Sequence, residues 1–123
     1  MDFVSGTAML IKTEVLEKTG LFDEKFFLYY EDVDLCIRAW KAHYKCLMVG
    51  EAIVYHEPDP VNPNKEYYLA RNHFLFLEKH APLQVKVREM VRLPKTLWEH
   101  YRKKEYNSLL GIRDYFLRHF GEK

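Results

Sequence analysis

The chain has 123 residues, of which 48% are hydrophobic and 30% charged, the composition of a folded domain with a modest core. Its net charge of +1 gives no argument for nucleic acid, so we expect no nucleic-acid partner. No apolar run approaches the roughly 20 residues that span a bilayer, and the start of the chain does not resemble a secretory signal.

Charge divides the chain into an acidic body and a basic tail. Residues 1–81 carry 9 Lys and Arg against 13 Asp and Glu, whereas residues 82–123 carry 10 against 5. We therefore predict a body over 1–81 and a basic helical extension over 82–123. Basic side chains near apolar positions favour peripheral contact with an anionic membrane, although helices that pack on the body with solvated charges explain the same pattern. These basic residues are Lys86, Arg88, Arg92, Lys95, Arg102, Lys103 and Lys104.

The first predicted elements are a strand and a short helix. Residues 2–12 have a strand pattern that small residues interrupt, which indicates either a simple bulge or a close approach of substrate to the backbone at Gly6 and Thr7. A helix is predicted from Thr13, as N-cap, to Thr19, with Gly20 as its stop.

An acidic cluster follows four aromatic residues within Phe26–Arg38. Glu31, Asp32 and Asp34 lie within four positions, and an apolar pattern predicts a helix over residues 32–43. Adjacent carboxylates repel each other, so nearby groups must stabilise them or one pKa must rise. The Glu31-Asp32 pair fits a helix N-terminus, where N–H groups favour anions. It also fits a general base beside an aromatic wall.

Residues 45–55 are the second predicted strand, and a loop with prolines at 58, 60 and 63 follows. His56 ends this strand, where an imidazole suits a metal ligand with outer carboxylates from the neighbouring residues 57 and 59. An ordinary exposed histidine is the alternative. Cys36 and Cys46 are predicted to be buried free thiols in a reducing compartment.

Helical patterns cover the remainder. They predict helices over 64–80, over 83–92, from Pro94 to about residue 104, and from residue 107 onward. The first contains Tyr67-Tyr68-Leu69-Ala70-Arg71-Asn72, where the forked guanidinium of Arg71 suits phosphate binding. A surface arginine beside two packing tyrosines is the alternative.

Five stretches, taken in order, resemble the C-terminal half of the catalytic domain of family 2 glycosyltransferases. The similarity is closest to the rhamnosyltransferase-like branch that builds bacterial surface polysaccharides, and it covers residues 2 to about 80. The stretches that carry it are Gly6–Ile11, Gly20–Phe27, Tyr30–Arg38, Val54–His56 and Tyr67–Asn72.

This resemblance implies an α/β fold of the GT-A type, in which this chain would be the acceptor-side half, helix-rich with few strands and followed by C-terminal helices. It implies inverting transfer of a sugar from a nucleoside-diphosphate sugar to a glycan or lipid-linked acceptor. Asp32 matches the base and Glu31 its partner, and His56 matches a ligand of the Mg or Mn ion expected in the complete enzyme. Substrate contacts are expected at Gly6, Thr7, Tyr30, Arg71 and Asn72.

In this family a nucleotide-binding half with an Asp-x-Asp metal motif normally precedes these residues. The sequence departs from that pattern, because it contains neither that half nor an Asp-x-Asp in that role. We therefore expect an enzyme that is inactive without an N-terminal partner, and a homo-oligomer formed through a strand edge or the C-terminal helices. The expected location is cytoplasmic, with peripheral contact at the inner face of the membrane. The alternative function is a non-catalytic, oligomeric helical interaction module derived from a glycosyltransferase.

Overall fold

The structure is a computed structural model that describes residues 3–57 and 62–123. It is helix-rich, as predicted, and a 3-10 turn at Gly6–Ala8 precedes the first α-helix. The α-helices of these ranges are α1 (Thr13–Thr19), α2 (Glu31–Lys41), α3 (Lys65–His80), α4 (Leu83–Arg102) and α5 (Tyr106–Phe116).

Helices α3 and α5 form the centre of the packed core. Helix α3 contributes Tyr67, Tyr68, Phe74 and Leu75 to the buried side chains. Gly111 lets α5 approach, because a Cβ at this position would overlap the carbonyl oxygen of Tyr67. The close helix contact therefore depends on a residue without a side chain.

Helix α2 packs against α1 and closes its C-terminal end. Arg38 donates hydrogen bonds from Nη1 to the carbonyl oxygens of Thr19 (2.6 Å) and Gly20 (3.2 Å), and from Nη2 to that of Leu21 (2.8 Å). Carbonyls at a helix C-terminus have no backbone N–H partner within the helix, so the guanidinium supplies donors that α1 lacks. Gly20 has a φ of 83°, so the predicted stop of this helix is confirmed.

The strand predictions were wrong for the described residues, which contain no strand. Extended backbone is present at Ser5, Met9 and Lys12, but the ladder hydrogen bonds that define a strand do not form. The predicted strand over residues 45–55 is irregular, with a turn at 50–51. Apolar side chains there, such as Ile53 and Tyr55, are exposed.

Helix boundaries differ from the predictions at several places. Helix α2 begins at Glu31 and ends at Lys41, and Lys12, not Thr13, precedes the first turn of α1. The two helices predicted around Pro94 are one helix, α4, that continues through the proline. Pro94 is exposed, so its ring faces water and its missing N–H costs a single backbone hydrogen bond.

Within residues 3–57 and 62–123, none of the helices is both long and apolar enough to cross a bilayer. Both cysteines are free, as predicted. Cys36 is buried, and Cys46 is half-buried rather than buried.

Candidate active site

The aromatic loop, residues 26–30, leads directly into α2. Phe27, Tyr29 and Tyr30 have φ angles of 59°, 67° and 75°. Residues other than glycine rarely adopt this left-handed conformation, which costs about 1–3 kcal/mol each. The loop therefore depends on contacts from elsewhere in the fold to keep its shape.

Asn72 on α3 supplies the main contacts of the aromatic loop. Its Nδ2 lies within hydrogen-bond distance of the carbonyl oxygens of Phe26 (2.9 Å), Leu28 (2.8 Å) and Tyr29 (2.8 Å), which share its two hydrogens. The side chain is fully buried. Because a buried carbonyl without a partner is costly, this one amide stabilises the strained backbone of the loop at three positions.

Arg71 supports the same loop from beside Asn72. Its Nη2 donates to the carbonyl oxygens of Lys25 (3.1 Å) and Phe26 (2.9 Å), and its Nη1 donates to that of Gly121 (2.7 Å). Its Nε donates to Oδ1 of Asn72 at 3.0 Å. The guanidinium is buried among backbone acceptors, and its role as a phosphate contact stays a prediction.

Asp32 joins the N-terminal segment to α2. Its Oδ2 accepts a hydrogen bond from the backbone N–H of Gly6 at 2.9 Å, and its Oδ1 accepts one from Val33 at 2.8 Å. The side chain is half-buried. Each carboxylate oxygen retains a lone pair beyond these bonds, so the group is oriented and still able to accept a proton.

Glu31 is the more perturbed member of the pair. Burial is the largest effect on the pKa of Glu31 and raises it. A hydrogen bond from the backbone N–H of Glu31 lowers the pKa, and the charge of Asp32 raises it, so the pKa lies above its ordinary value. Its Oε2 is buried and has no hydrogen-bond partner among the described residues. Two adjacent carboxylates with different environments suit different roles in acid–base chemistry.

The alternative role of Glu31 and Asp32, capping the N-terminus of α2, agrees with the structure only in part. Tyr30 occupies the N-cap position, in a left-handed conformation and without a side-chain cap bond. Glu31, Asp32 and Asp34 lie in the first turn, where the helix dipole favours negative charge. Asp32 satisfies one first-turn N–H, that of Val33, so it stabilises the helix and remains available for chemistry.

A cleft of about 350 Å³ opens between α3, α4 and α5, with Tyr30 at one end. The phenol of Tyr30 lies 3.5 Å from Nδ1 of His73, and burial lowers the pKa of this histidine. Tyr30, which precedes Glu31 in the chain, is the residue of the aromatic loop that lines the cleft. The other polar side chains along it are Glu66, Glu89, Thr96, His100, Glu105 and Ser108.

Asp34, the third carboxylate, is fully buried and makes structural contacts. It accepts from Nε of Arg38 at 2.8 Å, from Nζ of Lys79 at 2.7 Å and from Nε2 of His80 at 2.7 Å. Burial would raise its pKa, but the hydrogen bonds from Lys79, His80 and Arg38 outweigh burial and hold the pKa below its ordinary value. Asp34 therefore fastens α2 to α3.

Two predicted residues lie at the margins of this site. Thr7 is exposed next to Gly6, and its hydroxyl lies 3.1 Å from that of Ser5. His56 is exposed in the irregular segment that follows the turn at 50–51. The predicted outer carboxylate Asp59 falls outside the described residues.

The metal-ligand set predicted around His56 is not assembled by the described residues. No group of three His, Cys, Asp or Glu side chains within these ranges is arranged to hold a metal ion. One imidazole alone does not define a metal site. We therefore derive no chemical step through a metal.

The model of the family described as glycosyltransferase like family 2 matches residues 1–74. The chain belongs to this family. All of the predicted site residues lie within the matched part, and helices α4 and α5 follow it.

Curated relatives within this glycosyltransferase family include two rhamnosyltransferases. An N-acetylglucosaminyl-diphospho-decaprenol L-rhamnosyltransferase of Mycobacterium tuberculosis is 31% identical over 86 residues, which cover 66% of this chain and 28% of the relative. A dTDP-rhamnosyl transferase, RfbF, of Shigella flexneri is 33% identical over 108 residues, which cover 71% of this chain and 33% of the relative. The predicted resemblance to the rhamnosyltransferase-like branch is confirmed.

A shorter match links the chain to a low-salt glycan biosynthesis hexosyltransferase, Agl10, of Haloferax volcanii, which is 41% identical over 39 residues. The matched regions span a third or less of the lengths of these three relatives. No solved structure matches the chain significantly.

The sequence interpretation missed the structural partners of Asp34 and the residues of the cleft. The spacing of Asp34 and Arg38, four positions apart on a helix, is a local signal for an ion pair. Lys79 and His80 give no such signal, because they lie far along the chain. The cleft was not predicted because α4 was predicted as two helices. Only in a single helix do Glu89, Thr96 and His100 lie on the same face.

Proposed function

We propose that this chain carries the acceptor-side part of an inverting glycosyltransferase, which transfers a sugar from a nucleoside-diphosphate donor to a glycan or lipid-linked acceptor. The observation that carries the proposal is the geometry of Asp32. Its carboxylate is anchored by Gly6 and Val33, retains free lone pairs, and stands beside a second carboxyl group with a raised pKa.

In this reaction Asp32 accepts the proton of an acceptor hydroxyl. The acceptor oxygen forms a bond to the anomeric carbon while the bond from that carbon to the diphosphate oxygen breaks, and the electron pair leaves on the diphosphate. Attack opposite the leaving group inverts the anomeric carbon. General-base catalysis of this kind contributes typically 10²–10⁴-fold to a rate.

Glu31 and Tyr30 orient the acceptor in the proposed reaction. The Oε2 of Glu31 has no partner among the described residues but is buried, so its side chain must turn towards the acceptor to bind the hydroxyl next to the reacting one. Tyr30 continues this contact into the cleft between α3, α4 and α5. Carboxylates and hydroxyls line that cleft, which favours an uncharged, polyhydroxylated ligand over a phosphate.

The names of two relatives suggest the substrates to test first. The name of the Shigella flexneri relative contains the donor group dTDP-rhamnosyl. The name of the Mycobacterium tuberculosis relative contains the lipid-linked acceptor N-acetylglucosaminyl-diphospho-decaprenol. We propose L-rhamnosyl transfer on this basis. The α/β fold of the GT-A type belongs to the same proposal, and the extended backbone and exposed apolar side chains of the N-terminal segment support it.

A divalent Mg or Mn ion would offset the charge that develops on a diphosphate leaving group. We propose His56 as one of its ligands, with the others supplied from outside the described residues. The proposed location is the cytoplasm, where free cysteines such as Cys36 are common.

The test is a transfer assay with dTDP-rhamnose and a short-chain N-acetylglucosaminyl-diphospho-lipid, in which the chain is supplied with a nucleotide-binding half of the family and wild type is compared with Asp32→Asn. The variant retains the size of the side chain and loses the base. Product formation should fall by about 10²-fold or more. Glu51→Gln is the matched control, because Glu51 is exposed in the turn at 50–51, and it should keep wild-type activity.

Acceptor binding supplies a second readout that does not need turnover. Addition of the acceptor should shift the NMR signals of Tyr30, Glu31 and Asp32, and these shifts should persist in Asp32→Asn. Full transfer activity in Asp32→Asn would refute the assigned base. Neither transfer nor binding of donor or acceptor by the wild-type chain would favour the non-catalytic interaction module.

A further inference from the structure

Helix α4 presents two different faces. Its inner face, at steps of four, three and four residues, consists of Glu89, Leu93, Thr96 and His100, all half-buried. Three of these four line the cleft. No residue of α4 is fully buried, although the helix is 20 residues long. Most of its surface therefore faces away from the packed core.

The outer face of α4 carries a continuous apolar stripe. Its members recur at three- and four-residue steps, which place them on one side of a helix. Val91 is 76% exposed and Trp98 is 60% exposed, and the rings of Trp98 and Tyr101 stack with centroids 6.3 Å apart. The stripe consists of Leu83, Val87, Met90, Val91, Pro94, Leu97, Trp98 and Tyr101.

Basic side chains flank this apolar stripe. Arg88, Arg92 and Lys95 lie along one edge, with side chains 60–74% exposed. Lys103 and Lys104 follow the helix. Arg88 and Arg92 lie 3.4 and 3.8 Å from Glu89, and Lys95 lies 3.7 Å from Glu99, so these three cations share two carboxylates. With the two lysines that follow the helix, the edge keeps a net positive charge beside the apolar centre.

We propose that α4 lies in the headgroup region of an anionic phospholipid membrane, with the apolar stripe inserted and the basic edge against lipid phosphates. The distribution matches that of interfacial helices, which combine an apolar face, interface aromatics and flanking Lys or Arg. At 1.5 Å per residue the helix is about 30 Å long, so the whole stripe can lie along one surface.

Charge argues for lipid over a second copy of the chain as the occupant of the stripe. A symmetric pair would bring two sets of the same basic side chains to one contact, where they repel. An anionic membrane instead attracts the net positive charge that Arg88, Arg92, Lys95, Lys103 and Lys104 leave after their pairing with Glu89 and Glu99.

This orientation sets the cleft directly beneath the membrane, because the inner face of α4 forms one of its walls. A lipid-linked acceptor could then enter the cleft without leaving the bilayer. This last consequence rests on the proposed transferase function, whereas membrane binding by α4 does not.

The first experiment measures co-sedimentation of the 123-residue chain with vesicles of equal parts phosphatidylglycerol and phosphatidylcholine at low salt. Pure phosphatidylcholine vesicles, and a repeat at about 1 M salt, isolate the electrostatic contribution. The triple variant Arg88→Gln/Arg92→Gln/Lys95→Gln should bind about tenfold to a hundredfold more weakly than wild type. Its matched control is Lys12→Gln/Lys45→Gln/Lys65→Gln, which removes three exposed charges elsewhere and should bind within about twofold of wild type.

The two tryptophans give a second, position-specific readout. Trp40 on α2 is 69% exposed and Trp98 is 60% exposed, so both report on a change from water to lipid. With Trp40→Phe, the remaining Trp98 should shift its emission to the blue on adding anionic vesicles. With Trp98→Phe, the remaining Trp40 should not shift.

Sedimentation velocity without lipid measures whether the chain is a monomer or a dimer, and so tests whether a second copy covers the apolar stripe. A monomer that binds anionic vesicles through Trp98 supports the proposal. Absence of vesicle binding overturns it, as does a vesicle-induced shift at Trp40 alone or equal loss of binding in the two triple variants. A dimer that forms without lipid and binds no vesicles assigns the stripe to a second copy. Failure of vesicle binding leaves the transferase proposal intact, because the transfer assay is independent of it.

Discussion

At the residue scale, Glu31 combines a functional position with an unfavourable environment. Its pKa is raised above the ordinary 4.5, first by burial and then by Asp32. A carboxyl whose pKa is higher in the folded chain binds its proton more tightly when folded. The free energy of unfolding therefore falls as the pH rises from 4.5 through the raised pKa, and the loss is complete above it.

Glu31→Gln should accordingly stabilise the chain at neutral pH while impairing acceptor orientation. We expect the melting temperature to rise by about 2 °C at pH 7. The difference from wild type should vanish below pH 4.5, where the carboxyl is protonated in both states. Thermal denaturation across pH checks this. An unchanged or lower melting temperature at pH 7 would contradict the strained environment assigned to Glu31.

Asp34 illustrates the opposite use of a carboxylate. Its pKa is held below the ordinary 3.8, so its contribution is present above that pH and is lost as the pH falls through the lowered value. Asp34→Asn should lower the free energy of unfolding by about 3 kcal/mol, because Arg38, Lys79 and His80 lose their buried acceptor.

Urea denaturation at neutral pH measures the effect of Asp34→Asn. Glu99→Gln is the matched control, since Glu99 forms an exposed pair with Lys95 at 3.7 Å. The control should change the free energy of unfolding by less than about 0.5 kcal/mol. Equal effects of the two substitutions would mean that the buried network does not hold α2 against α3.

At the element scale, the packing of α5 on α3 depends on Gly111. Gly111→Ala adds a Cβ that overlaps the carbonyl oxygen of Tyr67 and crowds the backbone N of Arg71. Because the obstacle is backbone and not a flexible side chain, the helices must separate. We expect a loss of about 3 kcal/mol in the free energy of unfolding, measured by denaturant titration.

Gly50→Ala provides the comparison for Gly111→Ala, because a Cβ at Gly50 meets nothing within 4 Å. The control should stay within about 0.5 kcal/mol of wild type. If Gly111→Ala is as stable as Gly50→Ala, the close contact between α3 and α5 is not part of the folded state.

Local signals were sufficient for some elements and not for others. The span Thr13–Thr19 of α1 and its stop at Gly20 were predicted, because they depend on adjacent positions alone, although the N-cap is Lys12 and not Thr13. Strands require a partner, so apolar patterns at residues 2–12 and 45–55 could not establish one. Pro94 was predicted to separate two helices, whereas α4 continues through it. The proline is tolerated because its ring lies on the exposed face of α4, and that exposure depends on tertiary structure.

The sequence identified candidate residues that the structure brings near one another, but it did not predict the contacts that hold them there. The order of motifs singled out Asp32, Glu31, Arg71 and Asn72, which all surround or support the start of α2 in the structure. The donation from Asn72 to three carbonyls of the aromatic loop joins residues more than 40 positions apart. Sequence pattern carries no information on such long-range hydrogen bonds.

At the scale of the whole molecule, the C-terminal segment returns to the aromatic loop and braces it. The carbonyl oxygen of Gly121 accepts from Nη1 of Arg71 at 2.7 Å, and its N–H donates to the carbonyl oxygen of Lys25 at 3.1 Å. Lys123 donates its backbone N–H to the phenol of Tyr68 at 3.0 Å. The basic extension therefore contributes directly to the order of the loop that precedes the carboxylates.

Removal of residues 118–123 should loosen the aromatic loop without unfolding α3. Arg71 would lose its Gly121 acceptor while remaining buried, and an unsatisfied buried donor costs about 1–3 kcal/mol. Hydrogen exchange of the Phe26 and Phe27 amides, which donate to Asp23 and Glu24 at 3.1 Å, should accelerate about tenfold or more. Amides in the middle of α3 should exchange at the wild-type rate.

A shorter deletion, of residues 122–123, separates the contributions of the C-terminal segment. It keeps both backbone contacts of Gly121 and removes the bond from Lys123 to Tyr68, so loop exchange should stay within about threefold of wild type. If the longer deletion leaves Phe26 and Phe27 as protected as in the intact chain, Asn72 and the bonds from Arg71 to Lys25 and Phe26 are sufficient to maintain the loop. The bond from Arg71 to Gly121 would then be dispensable for the site, and the coupling of the C-terminal segment to Glu31 and Asp32 would be refuted.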